Sequence, residues 1–141
     1  MSTVRSSGSS VAFVPQTMSY YYETLPCIDA VASGYSAISF AIKAPPGASL
    51  TLEIQTKESC SAPTYTSTSR FVKDFTGEIQ TIVIPLSSFT GVYPSAIGAF
   101  NWGSWDSYMD KEFTWELGDI ALTCGAGSNM PADVYQYRNT T

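Results

Sequence analysis

Histidine is absent from this 141-residue chain. That removes the commonest general base and the commonest ligand of zinc, copper and iron. Charge is scarce as well: Asp, Glu, Lys and Arg make up 13%, against a typical share of roughly 25%. Seven basic residues face twelve acidic ones, for a net charge of −5. Such a chain is a poor partner for nucleic acid, whose affinity rests on Lys and Arg neutralising phosphates. It is a poor partner for anionic membranes for the same reason. No apolar run approaches the ~20 residues of a membrane span, and no stretch holds the 3.6-residue helical period over ten or more positions.

Cysteine is sparse and odd in number: Cys27, Cys60 and Cys124. One disulfide plus one remaining thiol in an oxidising compartment is the economical reading. A structural zinc site is disfavoured, because the three are far apart and lack a fourth partner. Residues 1–10 carry no apolar segment of the signal-peptide kind. The expectation is a mature chain or an excised module, with a cytosolic protein as the alternative.

Ser, Thr, Tyr, Ala and Gly fill the space that charge leaves. A surface of hydroxyls and amides is common in secreted β-proteins, so a secreted or extracellular location, cell wall included, is expected. The length suits one domain with a substantial core. We divide it into a flexible N-terminal arm (1–10), a β-sandwich domain (11–124) and a C-terminal tail (125–141) in which residues 133–137 can add a strand.

Alternation of period two carries the fold reading. Ile38, Phe40 and Ile42 share one face, then Leu50, Leu52 and Ile54 share another, with Thr51, Glu53, Gln55 and Lys57 opposite. The turn Pro45-Pro46-Gly47 between them predicts a β-hairpin. Weaker strand patterns cover 18–25 and 65–73. Residues 80–86 place Ile82, Ile84 and Leu86 inward, and Pro85 requires an edge or a strand end. Residues 96–102 and 113–124 are expected to form the last strand pair. Phe113, Trp115 and Leu117 share one phase while Ile120, Leu122 and Cys124 share the other, so a bulge is expected at Gly118-Asp119. The sum is an all-β chain of about eight strands: an antiparallel β-sandwich, or jelly roll.

The runs 36–48 (SAISFAIKAPPGA), 52–60 (LEIQTKESC), 80–89 (QTIVIPLSSF) and 115–124 (WELGDIALTC) resemble galactose-binding-like jelly-roll modules of secreted fungal carbohydrate-active proteins. The likeness spans roughly Tyr20 to Cys124. It implies a sugar-binding module attached to a polysaccharide-acting catalytic domain, without fixing the sugar. It also leaves room for a structural calcium near Asp119, with Asp29 the other nameable ligand. Calcium wants six to eight oxygens, and a plain surface aspartate is the competing reading. No other cofactor is expected.

The residues themselves point the same way. Trp102, Trp105 and Trp115 crowd into one stretch with Tyr108. Aromatic faces pack against the C–H faces of a pyranose, while amides and carboxylates meet its hydroxyls. Trp102 shares its phase with Phe100, so core and platform are both open to it. Trp105 and Tyr108, placed past the strand end, are the better platforms, with Asn101 and Asp106 as polar partners. Trp115 reads as core. Glu53, Gln55 and Lys57 can floor a groove or form an ordinary wet strand face. Of the three tyrosines 20–22, Tyr21 faces opposite to its neighbours and is taken as the rim residue.

The antiparallel arrangement of 36–43 and 49–57 brings Cys60 near the loop that holds Cys27. We expect the pair Cys27–Cys60, leaving Cys124 free or buried, with two other pairings open. No catalytic residue is assigned: Asp106, Asp110, Glu112, Glu116 and Asp119 are not paired across a cleft as glycoside hydrolysis requires. The expected function is a non-catalytic module holding a neutral polysaccharide or oligosaccharide. The alternatives are a structural or interaction protein of a cell wall or secreted complex, and a small glycan-processing enzyme.

Overall fold

A computed structural model describes residues 2–7, 10–124 and 137–138. Among these, ten strands form two antiparallel sheets. The first sheet contains β1 (Ser2–Ser7), β2 (Ser10–Val14), β9 (Trp115–Thr123), β4 (Ala37–Lys43) and β7 (Gln80–Pro85) in that order, with β10 (Tyr137–Arg138) also paired to β9. The second contains β3 (Tyr20–Ile28), β8 (Ile97–Asp106), β5 (Ser49–Thr56) and β6 (Thr66–Lys73). The result is the expected sandwich of jelly-roll type. Residues 2–7, expected as a loose arm, pair along β2. Tyr137 and Arg138 pair with Leu122 and Ala121, at the end of the stretch 133–137 expected to add a strand, whose residues 133–136 lie outside the described residues. The linker-like start of that tail and the sequon Asn139-Thr140-Thr141 lie outside the described residues.

The expected hairpin does not form. β4 pairs with β7 and β9, whereas β5 pairs with β6 and β8, so Pro45-Pro46-Gly47 carries the chain from one sheet to the other. Ile38, Phe40 and Ile42 on one side and Leu50, Leu52 and Ile54 on the other then face each other across the core, all fully buried. Alternation specifies which face is apolar, and it is satisfied equally by two strands of one sheet or by two facing sheets. The last expected pair separates in the same way: β8 belongs to the second sheet and β9 to the first.

Bulges reset the phase of both strands. Against Ser39 and Ala41 of β4, β9 sets Ala121 and Gly118, one residue too many, and Asp119 takes the extra place at φ 49°. This is the bulge expected from the sequence. A second lies in β8, where Ser49 and Thr51 oppose Asp106 and Gly103, with Ser104 at φ 51°. It turns Trp105 inward, onto Phe13 and Trp115, at ring separations of 4.8 and 5.3 Å. The strand therefore continues through Trp105 instead of ending before it.

The disulfide Cys27–Cys60 is present, but not by way of a hairpin. Ile28 of β3 and Thr56 of β5 both pair with Ile97, from opposite sides of β8. Their chain ends thus emerge together, and the cysteines just beside them meet. Cys124 is half-buried and unbonded.

Candidate functional site

The inner face of the second sheet is core: Leu50, Leu52, Ile54, Phe100 and Trp102 are each at most 1% exposed. Period two then puts their neighbours on the outer face. The register lines these up in rows across four strands. Tyr20, Gly103, Thr51 and Phe71 form one row; Tyr22, Asn101, Glu53 and Ser69 the next; Thr24, Ala99, Gln55 and Ser67 the third.

Hydrogen bonds join the middle of this face into one polar strip. Tyr22 Oη donates to Gln55 Oε1 at 2.8 Å. Gln55 Nε2 and Asn101 Nδ2 both donate to Glu53 Oε1, at 3.4 and 3.3 Å. Asn101 Oδ1 is buried and accepts no hydrogen bond among the described groups. Aromatic rings border the strip. Tyr20 and Tyr22 are 58% and 43% exposed on the β3 side, and Phe71 is 61% exposed on the β6 side. At the far end of β5, Lys57 Nζ lies 4.4 Å from the centre of the Tyr65 ring. That ring packs on Gly98, and a Cβ there would displace it.

A cleft of about 500 Å³ opens off the Tyr20–Gly103 corner of the face. Its outer wall is the β2–β3 connection, residues 15–19, and its far side is Ser104, Trp105, Ser107 and Lys111. The wall is pre-shaped. Ser19 Oγ donates to Gln16 O at 2.7 Å and accepts from Gln16 N at 3.1 Å, and Trp105 Nε1 donates to Ser19 O at 2.9 Å. Met18 stands at its tip, 89% exposed on a backbone of φ 69°.

Of the residues expected from sequence, Glu53 and Gln55 lie in the strip, and Lys57 continues their line. Trp105 lines the cleft, half-buried against Phe13 and Trp115, as a wall and not as an open platform. Trp102 is 0% exposed and cannot touch a ligand. Trp115 is core, as expected, with Nε1 donating to Ser107 Oγ at 2.9 Å. Tyr108 is exposed but sits on Gly47, in the crossing between sheets, where an added Cβ would come within 2.7 Å of its ring. Asp106 closes the adjoining turn by accepting from Tyr108 N at 2.8 Å. Neither lines the cleft.

Tyr21 corrects the reading of the tyrosine run. It faces inward, with its ring 6.0 Å from that of Trp102 and its hydroxyl donating to Glu23 Oε1 at 2.8 Å. Tyr20 and Tyr22 are the residues that reach solvent. Glu23 is 7% exposed, and burial raises its carboxyl above the ordinary value, with the bond from Tyr21 pulling back. Tyr21 is pushed up to about 12 by burial first, then by its bond to Glu23 and that residue's charge.

Of the two aspartates expected near a calcium, Asp119 occupies the bulge in β9. Asp29 is the N-cap of α1 (Ala30–Ser33), accepting from Ala32 N at 2.9 Å. Among the described residues no three His, Cys, Asp or Glu side chains cluster in a metal-binding arrangement. A calcium there would draw most of its oxygens from backbone carbonyls. Among the described residues, too, no helix is long and apolar enough to cross a membrane.

No protein-family model matches the chain, and no curated protein matches it. Solved structures do. A family 30 carbohydrate-binding module is similar over 79% of this chain and 73% of its own, with a TM-score of 0.55 and 18% identity. A family 11 carbohydrate-binding module from Clostridium thermocellum, in complex with a β-1,3-1,4-mixed-linked tetrasaccharide, is similar over 79% and 72%, with a TM-score of 0.51 and 21% identity. The family 11 module of the cellulosomal cellulase Lic26A-Cel5E of Clostridium thermocellum gives 79% and 71%, 0.51 and 19%. At such identities the likeness is one of fold.

Proposed function

We propose that this chain is a non-catalytic carbohydrate-binding module that holds a neutral glycan on the outer face of its four-stranded sheet. The observation that carries the reading is the strip Tyr22–Gln55–Glu53–Asn101, hydrogen-bonded across three strands and bordered by exposed aromatic rings. Fixed amides and one carboxylate offer donors and acceptors to sugar hydroxyls. Tyr20, Tyr22 and Phe71 offer apolar faces to pyranose C–H groups.

The mixed-linked tetrasaccharide bound by a module of similar fold makes a β-glucan the first ligand to try. Binding without hydrolysis is favoured because Glu53 is the strip's single carboxylate and is already engaged by two amides. Glycoside hydrolysis ordinarily needs a pair flanking the bond. The Cys27–Cys60 bond favours an oxidising, extracellular setting. A catalytic domain elsewhere in a parent polypeptide is the natural partner for such a module.

Affinity electrophoresis tests this. Gels containing mixed-linked β-glucan, xylan, mannan or galactan are run with wild type and with Tyr22→Ala. Retardation of the wild type in at least one gel, weakened in the variant, is expected. No retardation in any gel would favour the structural-protein alternative, and equal retardation of both would remove the strip from the binding site.

A further inference from the structure

The cleft beside the strip differs from it in charge. Its lining contains Lys111 and no carboxylate, in a chain where acidic residues outnumber basic ones twelve to seven. The strip has the reverse character, with Glu53 at its centre. The two are continuous, because Tyr20, Asn101 and Gly103 belong to both the outer face and the cleft lining. The volume, about 500 Å³, lies within the range that ordinarily holds a small ligand, roughly 300–1,000 Å³. Met18, Tyr20 and Trp105 supply apolar wall, and Gln16 and Thr17 supply polar groups. Loops bound it on two sides. A substituent on a chain lying along the strip can enter it from the Tyr20–Gly103 row.

We propose that this cleft receives an acidic sugar substituent, a uronic-acid type of branch, carried by the glycan whose main chain lies on the strip. Lys111 meets the carboxylate at the exposed lip. The sugar ring packs between Met18 and the Tyr20–Trp105 side. The inference rests on the glycan-binding reading and adds to it the class of decoration the protein selects.

The test compares three soluble β-glucans: unsubstituted mixed-linked glucan, and hydroxyethyl and carboxymethyl cellulose, which share one β-1,4-linked main chain and differ in the charge of the substituent. Affinities are measured at low salt and at high salt for wild type and Lys111→Gln. An exposed ion pair gives a gain of a few-fold, and salt screens it. The chain's net charge of −5 repels the carboxymethyl polymer in wild type and variant alike, so the comparison is between the two proteins. At low salt Lys111→Gln is expected to bind the carboxymethyl polymer roughly three-fold more weakly than wild type. High salt removes that difference, and affinity for the hydroxyethyl polymer and the unsubstituted glucan is the same in both proteins. Binding of the unsubstituted glucan with equal carboxymethyl affinity in both proteins, or an equal loss for all three polymers, overturns the cleft assignment alone. No binding of any of the three overturns it together with the glycan reading for this main chain.

Discussion

Tyr22 and Gln55, 33 positions apart in sequence, are joined by a 2.8 Å hydrogen bond that passes over β8 and ties the edge strand β3 to the central strand β5. The bond is on the solvent side and holds the Gln55 amide so that its nitrogen turns to Glu53. One phenol thus orders two polar groups of the strip. Tyr22→Phe keeps the ring and removes the bond. An intramolecular hydrogen bond of this kind is worth about 0.5–1.5 kcal/mol to the fold, so Tm should drop by only a few degrees, while glycan affinity should fall because the Gln55 amide is no longer held in place. Calorimetric titration with thermal melts separates the two effects. A large fall in Tm with intact affinity would make Tyr22 a structural residue only.

The two kinds of aromatic should behave oppositely. Trp102→Ala removes a fully buried side chain, and such truncations cost about 3–5 kcal/mol. Tyr20→Ala removes a side chain that is 58% exposed, and surface changes mostly stay within about 0.5 kcal/mol. Denaturant unfolding should show the first destabilised and the second not, whereas glycan binding should weaken in the second. A stable Trp102→Ala protein with lost binding would reverse the assignment.

Cys27 and Cys60 close a loop of 33 residues. Loop entropy gives about 3–4 kcal/mol for a bridge of that span. The double replacement Cys27→Ser with Cys60→Ser should therefore lower unfolding stability by about that amount, and reductant should do the same to wild type. Because β3 and β5 both flank the strip, glycan affinity measured below the melting point should fall less than stability does. Unchanged stability after reduction would contradict the entropic account.

Glu23 makes stability depend on pH. Its folded carboxyl holds a proton more tightly than the unfolded chain does, because burial raises it above 4.5. The contribution is therefore fully present below the unfolded value and is lost as pH rises through the raised folded one. Glu23→Gln, which keeps an acceptor for Tyr21, has no such loss. The Tm difference, variant minus wild type, should grow from acid towards neutral pH. A difference that stays flat across that window would show that Glu23 titrates normally.

Much of the fold is legible in the sequence because apolar alternation marks faces directly. Ile38–Phe40–Ile42 and Leu50–Leu52–Ile54 are assigned to the core from period alone, and the Gly118-Asp119 bulge follows from a change of phase. Partners are not legible in the same way, since a face does not say which strand lies beside it. Hence β4 and β5 read as a hairpin although they lie in different sheets. The site suffers from two local breaks in period. The bulge at Ser104 turns Trp105 inward, and its one local signal is Gly103 just before it, as Gly118 stands before Asp119; no apolar run after it marks a change of phase. Buried Glu23 stands between Tyr21 and Leu25, disguising the inward phase that Leu25 alone would have indicated. Glu53 and Gln55 were readable from the sequence because their strand keeps strict alternation throughout. Phe71 and Tyr65 depend on the pairing of β6 with β5, which no short-range pattern reveals.

The glycan-binding claim is tested most directly by following backbone amide resonances during titration with a mixed-linked β-glucan oligosaccharide. The account predicts saturable shifts concentrated at Tyr20, Tyr22, Glu53, Gln55 and Asn101, with the outer face of β4 and β7 unmoved. Shifts confined to that opposite sheet, or none with this oligosaccharide or with xylan, mannan and galactan fragments, would contradict it.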